Sequence, residues 1–298
     1  MRLVDVNCVI CGSKNYKVLY RDSVENGNDG VFRFRQSDPN NTTRQIVQCK
    51  KCGLIFTSPR ENEETLNKIY SNVIDMDYIK ESSWKLKSFI WNRKKIEEYI
   101  SGGKILDVGC GHGFFLETLS SNWEGYGIDP SVSSVEIAKK KGCNVVAGVL
   151  DETQFPPEFF DCITFIHVLE HTSNPKKFLE KSNKLLRMGG IIYIEIPDID
   201  SALARLFKRN WWYIMRFHTY YFTKNTLGIL LKDTGYEPIE WIKPIKTWSI
   251  KYIFWKLIPL GEPFRILYNL MKLSPFSNIS ITINPHDQIG VIAVKVRD

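Results

Sequence analysis

The sequence predicts an α/β protein, with a mostly parallel sheet covered by helices on both faces and a small cysteine-marked module in front. Three observations predict this fold. Short apolar strand patterns alternate with helical patterns from residue 84 onward, as in parallel sheets joined by helical crossovers. A glycine-rich turn follows the first of these strands, and two Cys-x-x-Cys pairs precede residue 58. At 298 residues, 43% of them hydrophobic, the chain can form one large domain and a small one.

Residues 1–58 are turn-rich and carry both cysteine pairs, each followed by glycine. Four thiolates suit tetrahedral zinc, and the glycines permit the tight turns that direct two sulfurs of each pair at one ion. We therefore expect a zinc-ribbon-like module with a structural zinc ion bound by Cys8, Cys11, Cys49 and Cys52. Redox cysteines and an iron centre are the alternatives. The remaining cysteines, Cys110, Cys143 and Cys162, are expected to be buried small residues.

Residues 59–83 are predicted to be a connector with one short helix, and the larger domain then covers residues 84–298. It opens with a helix over 84–100, where apolar side chains recur at helical spacing before Gly102 and Gly103. Strands are predicted at 104–107, 125–129, 144–149, 161–168 and 191–196. Helices are predicted at 114–119, 131–141 and 175–187, the last two ended by Gly142 and by Gly189 with Gly190.

Beyond Pro197 an aromatic insertion, about residues 198–222, is expected to fold as a lid over the carboxyl ends of the strands. A helix at 224–234 and a strand at 236–242 follow it. Two further strands are predicted at 279–283 and 290–296, the second well placed to close the sheet. Between them residues 259–272, with three aromatic residues shortly before, mix aromatic and basic side chains. A packing or dimer surface is the favoured interpretation, and peripheral contact with a membrane or a lipid-linked substrate is the alternative.

The chemistry concentrates at the turn Asp107-Val108-Gly109-Cys110-Gly111-His112-Gly113. In open α/β sheets ligands bind outside the carboxyl ends of the strands, where glycines let the backbone turn tightly and approach the ligand. An acid before G-x-G-x-G differs from the G-x-G-x-x-G of dinucleotide binders and favours a cationic ligand over a pyrophosphate. Asp129, at the end of the second strand, is placed to accept hydrogen bonds from two ribose hydroxyls.

The stretches LDVGCGHGFFLETL, GYGIDPS and FDCITFIHVLEH, with the segment after them, resemble the class I S-adenosylmethionine (SAM) dependent methyltransferases. The resemblance covers about residues 84–298 and implies a Rossmann-like sheet of seven strands with SAM as cofactor. It places the methionine part of SAM at the glycine turn, the ribose at Asp129, the adenine after the third strand and His167 at the cofactor edge. The cofactor-binding residues expected are Asp107, Gly109, Cys110, Gly111, Gly113, Asp129, Val149, Leu150 and His167.

Methyl transfer to a hydroxyl requires alignment of the two reactants and a base near the hydroxyl proton. His171, just past the fourth strand, and His218, in the aromatic insertion, are the candidate catalytic residues. Four-cysteine modules before such a domain resemble methyltransferases that act on sugars, including nucleotide-linked sugars. The resemblance therefore implies O-methylation of a sugar hydroxyl in a nucleotide-linked or glycan precursor. Relatives that C-methylate sugars carry a large third domain, which disfavours that reaction.

Three other functions stay open: methylation of a quinone-like aromatic, nucleic-acid binding or modification, and binding of SAM without turnover. The net charge of +7 and the basic carboxyl-terminal third favour an anionic partner. Nucleic acid is disfavoured, because the cysteine module lacks a dense run of Lys and Arg and no Asn-Pro-Pro-Tyr motif follows the fourth strand. The amino terminus has no secretion signal and no stretch suits a membrane span, so we expect a cytoplasmic protein.

Overall fold

The computed structural model describes residues 3–24, 42–71, 82–277 and 279–297. The strands in these ranges are β1 (Leu3–Val4), β2 (Tyr16–Tyr20), β3 (Ile46–Cys49), β4 (Ile55–Thr57), β5 (Arg60–Glu61), β6 (Gly103–Val108), β7 (Trp123–Asp129), β8 (Val145–Ala147), β9 (Phe160–Ile166), β10 (Leu186–Pro197), β11 (Tyr220–Tyr221), β12 (Tyr236–Ile242), β13 (Lys246–Ser249), β14 (Ser280–Ile283) and β15 (Gln288–Lys295). The helices are α1 (Glu63–Ser71), α2 (Ser82–Glu97), α3 (Val132–Lys140), α4 (Pro175–Leu185), α5 (Ala202–Phe207), α6 (Lys224–Asp233), α7 (Ile250–Leu257) and α8 (Glu262–Leu273).

A seven-stranded sheet in the order β12-β15-β10-β9-β6-β7-β8 forms the centre of the molecule. Strands β6 to β10 pair in parallel, and β15 runs antiparallel between β10 and β12. Successive residues of a strand point to opposite faces, so Leu106 and Ile163 pack in one apolar cluster while Ile105 and Cys162 pack in another. Helices α4 and α6 cover the first face, and α2 and α3 cover the second. The predicted α/β fold class is confirmed.

Two predicted elements differ from the structure near the ends of strands. The helix predicted over 114–119 is only a 3₁₀ turn, Leu116–Thr118, because Phe114 and Phe115 are buried before it and Leu119 is already extended. The helix predicted over 175–187 ends at Leu185, and β10 starts at the next residue. Gly189 and Gly190 therefore lie inside β10, at a shift in its register with β9.

The strand predicted at 279–283 exists as β14, but it does not join the central sheet. It pairs with β13 in a separate two-stranded sheet, and the two helices α7 and α8 lie between these strands in the chain. The strand predicted at 290–296 is β15, which closes the central sheet as expected. The sequence pattern predicts both strands, the second by its alternation of apolar residues, but a pattern of this kind does not identify the partner strand.

The amino-terminal module and the lid share a sheet. Strands β2, β3 and β4 are antiparallel neighbours, and β11, from the aromatic insertion, pairs with β4 as the fourth strand. Arg60, just after the module, donates hydrogen bonds to the carbonyl of Thr219 (3.2 Å), the carbonyl of Ser173 (2.6 Å) and the hydroxyl of Tyr220 (2.9 Å). The lid is thus held between the module and the turn after β9.

The helix α8 carries an exposed apolar face. Ile266 is 59% exposed, Leu270 61% and Leu273 87%, and Phe276 beyond the helix is 60% exposed. The aromatic residues before it behave differently, since Tyr252 on α7 lines the central cavity described below. No helix in the described ranges is long and apolar enough to cross a membrane.

Candidate active site

A cavity of about 370 Å³ lies at the carboxyl ends of β6, β7 and β9, where the sequence predicts the ligand. It is lined by both candidate catalytic histidines, His171 and His218, and by eight of the nine predicted cofactor residues, namely Asp107, Gly109, Cys110, Gly111, Asp129, Val149, Leu150 and His167. Gly113 does not line it, because its Cα faces Ala138 and Cys143 on the side of α3. The sequence motif therefore places its residues at one edge of the sheet, with Gly113 shaping the turn.

The glycine turn depends on backbone conformations that other residues adopt at a cost. Gly109, Gly111 and Gly113 have φ of 72°, 50° and 77°. A Cβ on Gly109 would lie 2.5 Å from Cγ2 of Val168, in the turn after β9. Position 109 thus requires glycine for two reasons: its φ is positive, and the end of the neighbouring strand approaches it closely.

The carboxylate of Asp129 is held in place by two backbone N–H groups. Gly111 donates to Oδ2 at 2.9 Å, and Ser131 donates to Oδ1 at 2.8 Å. Burial raises the pKa of Asp129, while these two N–H groups act in the opposite direction by stabilising the charged form. Each carboxylate oxygen retains a second lone pair, so the group can still accept the hydroxyls of a ribose.

The carboxyl group of Asp107 is buried at the end of β6. It accepts a hydrogen bond of 2.6 Å from Thr164 Oγ1 on the adjacent strand β9. Burial raises the pKa of Asp107 to about 7, opposed by this hydrogen bond and supported by the negative charge of Asp129. A cation bound beside Asp107 would favour its charged form.

His167, the predicted residue at the cofactor edge, has protein partners at both ring nitrogens. Its Nδ1 lies 3.1 Å from Glu170 Oε1, and its Nε2 lies 3.4 Å from Glu195 Oε1 and within hydrogen-bond distance of Gln288. Burial disfavours a charged ring, but the two carboxylates outweigh it and raise the pKa of His167 to about 9. The ring is thus an imidazolium at neutral pH. Glu170, three residues later in the chain, orients this ring through its contact with Nδ1.

His171 and His218 lie edge to face, with ring centroids 4.5 Å apart. Nδ1 of His171 is 3.1 Å from the carbonyl oxygen of Phe217 and 3.0 Å from the hydroxyl of Tyr70, which itself donates to that carbonyl. This arrangement favours the tautomer with the proton on Nδ1. Burial lowers the pKa of both histidines, and the charges of His171 and His167 lower that of His218 further. The uncharged form of both rings is therefore favoured.

The turn after β9 and the lid are joined through Thr219. Its backbone N–H and its hydroxyl both donate to the carbonyl of Glu170, at 2.7 and 3.0 Å. The hydroxyl is also 2.7 Å from the carbonyl of Thr172. These bonds fix the segment that carries His218 against the turn that carries His171.

Two groups of side chains in the described ranges have the composition and spacing of a metal site. Within the module, Sγ of Cys8 lies 3.3 Å from Sγ of Cys52, and Sγ of Cys11 lies 3.5 Å from Sγ of Cys49. Zn–S bonds of about 2.3 Å in a tetrahedron separate the sulfurs by about 3.8 Å, so the four thiols fit such an ion. Ligand atoms of Glu170, His171 and His218 also lie within 4.8 Å of one another, and the two histidines line the cavity.

Of the three consecutive aromatic residues Trp211, Trp212 and Tyr213 in the insertion, only Tyr213 lines the cavity. Its ring stacks on His167 at 6.2 Å and on His218 at 6.1 Å. Trp211 and Trp212 are buried in a cluster with side chains of β3, β4 and β11.

Sequence analysis did not find several other residues of the cavity wall: Tyr70, Lys246, Lys256 and Gln288. The only local sequence feature that pointed to any of these residues was the group of aromatic residues around Lys256. Such residues also occur on an ordinary surface helix.

Comparisons with known proteins agree with this fold. The sequence profile of the methyltransferase domain matches residues 89–240, about half of the chain. An uncharacterised protein of Methanocaldococcus jannaschii is 29% identical over 57% of this chain and 83% of its own length. A ubiquinone biosynthesis O-methyltransferase of Bradyrhizobium is 27% identical over 53% of this chain, and the match spans 64% of that protein.

Among solved structures, a SAM-dependent methyltransferase of Thermotoga maritima is similar in fold. The TM-score is 0.51 at 19% sequence identity, over 74% of this chain and 93% of that one. The fold, the cavity at the carboxyl edge of the sheet and the profile match all lead to the same conclusion: the chain belongs to the methyltransferase domain family and is a SAM-dependent methyltransferase.

Proposed function

We propose that this methyltransferase transfers the methyl group of SAM to a sugar hydroxyl in a nucleotide-linked or glycan precursor. The observation that carries the proposal is the imidazole of His171 in the wall of the cavity, oriented by the carbonyl of Phe217. A hydroxyl, unlike an amine, must lose a proton to become a good nucleophile, and a base held by a second group serves this purpose. The polar groups around His171 suit a hydrophilic acceptor.

SAM supplies an electrophilic methyl group on a sulfonium. The acceptor oxygen forms a bond to the methyl carbon while the carbon–sulfur bond breaks and its electron pair stays on sulfur, leaving S-adenosylhomocysteine. His171 accepts the hydroxyl proton on Nε2, since Phe217 holds the proton on Nδ1. Asp129 would hold the ribose of SAM, and Asp107 would lie beside its methionine part. His218 packs against His171 and positions its ring.

We further propose that Cys8, Cys11, Cys49 and Cys52 bind a structural zinc ion. The thiol spacing fits the tetrahedron, and four protein ligands leave no position for a reacting water. The ion would fix the turns that precede β2 and follow β3.

A quinone-like aromatic acceptor is the second candidate. The similarity to ubiquinone biosynthesis O-methyltransferases supports it, as do the rings of Tyr213, Trp248 and Tyr252 in the cavity wall. The two candidates make different predictions for the same assay. Labelled SAM is incubated with a panel of nucleotide sugars and of dihydroxybenzenes, and mass spectrometry identifies the product that gains a methyl group. Methylation confined to the aromatic compounds would reject the sugar proposal.

SAM affinity is expected to fall as the pH drops below 7. Asp107 has a pKa of about 7 in the free protein, so its carboxylate is lost at lower pH, whereas cationic SAM favours the charged form. Between pH 8 and pH 6 the dissociation constant should rise by about tenfold, because binding loses a factor of ten for each pH unit below the pKa. Calorimetry of wild type and Asp107→Asn measures this. The variant should bind SAM weakly with little dependence on pH, and an equally steep dependence in the variant would contradict the assignment.

Replacing His171 with glutamine is expected to lower kcat by about 10² to 10³, since positioned general bases contribute in this range. Tyr70→Phe, which removes the hydroxyl beside Nδ1, should cost less, because the carbonyl of Phe217 still orients the ring. Steady-state kinetics with the acceptor found in the panel checks both variants. His286, an exposed histidine outside the cavity, provides the matched control as His286→Asn. A kcat of His171→Gln within threefold of wild type would remove His171 from the mechanism.

A further inference from the structure

One buried lysine in the cavity wall has no acidic partner among the residues that the structure describes. Lys256, on α7, is 6% exposed. Its Nζ lies 5.1 Å from the ring centroid of Tyr252, 5.3 Å from that of Tyr213 and 5.6 Å from that of Trp248. In the described part of the chain, no carboxylate oxygen comes within 4.0 Å of it. The amine is therefore surrounded by aromatic rings and faces the cavity.

The neighbouring lysine of the same cavity wall, Lys246, has the acidic partner that Lys256 lacks. Lys246, on β13, forms an ion pair with Asp287 and donates a hydrogen bond of 2.9 Å to the hydroxyl of Tyr213. Lys256 has no such arrangement, and a buried ammonium without a counter-charge is unfavourable. Burial and the charge of Lys246 lower the pKa of Lys256 to about 7, with Asp287 acting in the opposite direction. An anion bound at this amine would supply the missing partner.

Lys256 contacts the lid, since its Nζ lies 5.3 Å from the ring centroid of Tyr213. The lid also carries His218, whose ring packs on His171, the base of the proposed reaction, so we place Lys256 on the acceptor side of the cavity. Two other cations, Lys141 and Lys85, lie near the glycine turn. Together with burial, their charges lower the pKa of His112 to about 4. The carboxylate of SAM, bound at the glycine turn, would therefore have cationic groups near it.

We propose that Lys256 binds an anionic group of the acceptor, a phosphate or a carboxylate, within the ring of Tyr213, Trp248 and Tyr252. The inference rests on the proposed function, since it assigns a charge to the acceptor of that site. The aromatic rings exclude water from the ion pair, which strengthens it, and they present flat apolar surface to the rest of the acceptor. A nucleotide-linked sugar carries the required charge in its diphosphate, and an aromatic acceptor carries it as a ring carboxylate.

The test measures binding without turnover. Enzyme saturated with S-adenosylhomocysteine is titrated in a calorimeter with two pairs of probes, UDP with uridine and 3,4-dihydroxybenzoate with catechol. We expect at least one anionic probe to bind at least tenfold more tightly than its neutral counterpart. Lys256→Met should abolish that difference, and Lys256→Arg should retain most of it. The pair that responds identifies whether phosphate or carboxylate is bound.

Controls separate this site from the cofactor site and from general charge. Lys272→Met, at an exposed lysine of α8, should leave both pairs unchanged. Affinity for S-adenosylhomocysteine should be the same in Lys256→Met and wild type, which also shows that the variant is folded. Equal binding of both members of each pair, or a loss of S-adenosylhomocysteine affinity in Lys256→Met, would overturn the proposal. If no nucleotide sugar is methylated but the anionic probes still bind, the proposed reaction is rejected and the anion site is retained.

Discussion

Loss of the proposed zinc ion is expected to abolish methyl transfer, although none of its four cysteines lines the cavity. In Cys49→Ser, zinc measured by mass spectrometry should fall from one ion per chain to less than a tenth. The value of kcat/KM should fall by at least a hundredfold. Structural zinc contributes apparent binding energies of about 10–16 kcal/mol, comparable with the whole stability of a domain of about 5–15 kcal/mol. The module is therefore not expected to keep its fold without the ion.

The link from the module to the active site runs through β11. Cys49 ends β3, which pairs with β4, and β4 pairs with β11 of the lid. Two residues before β11 is His218, and Thr219 between them binds the turn that carries His171. Cys8, Cys49 and Phe56 also belong to the same apolar cluster as the central strands. Disorder in the module therefore removes one wall of the lid and releases both histidines.

The control for this prediction is Cys143→Ala, at a cysteine outside the metal cluster, which should keep its zinc and at least half of its activity. The melting temperature of Cys49→Ser should fall, and added zinc should not restore it. If Cys49→Ser lost its zinc yet kept wild-type kcat/KM, the lid would be independent of the module and the coupling through β11 would be wrong.

The parts of the site that the sequence predicts are those built from one short segment. Asp107 lies near the end of one strand, Gly109 follows that strand directly, and Asp129 ends the next parallel strand, so local pattern and sheet geometry bring them together. The same logic placed His171 at the edge of the sheet. The two Cys-x-x-Cys pairs, with their fixed spacing, likewise predict the cluster that their four thiols form. These predictions needed no knowledge of long-range packing.

The missing parts come from elements that only tertiary packing brings to the cavity. Lys256 lies on a helix between β13 and β14, and its burial depends on β13 packing near α2, where Thr247 donates a hydrogen bond of 3.0 Å to Ser88. Tyr70 comes from the connector and reaches His171, 101 residues later in the chain. A buried lysine and a surface lysine look alike in an amphipathic sequence pattern. Their distinction lies in contacts that no local pattern encodes.

The second large effect is expected at Gly109. In Gly109→Ala the affinity for SAM should fall by at least a hundredfold, about 2.7 kcal/mol. A φ of 72° costs an alanine about 1–2 kcal/mol, and the new Cβ would lie 2.5 Å from Cγ2 of Val168. The chain must therefore move at the glycine turn or at the turn after β9. The first movement displaces the N–H of Gly111 from Asp129, and the second displaces His171.

A double-mutant cycle separates the strain from the contact. Val168→Ala removes both Cγ atoms and leaves a Cβ at 3.6 Å, an ordinary contact, so Gly109→Ala with Val168→Ala should recover at least tenfold in affinity. Gly142→Ala measures the cost of a positive φ without a steric contact, since Gly142 has a φ of 86° and a Cβ there would have open space around it. That variant should lose stability but bind SAM as the wild type does. If the double variant bound SAM no better than Gly109→Ala, contact with Val168 would not be what requires glycine. The requirement would then lie in the positive φ alone.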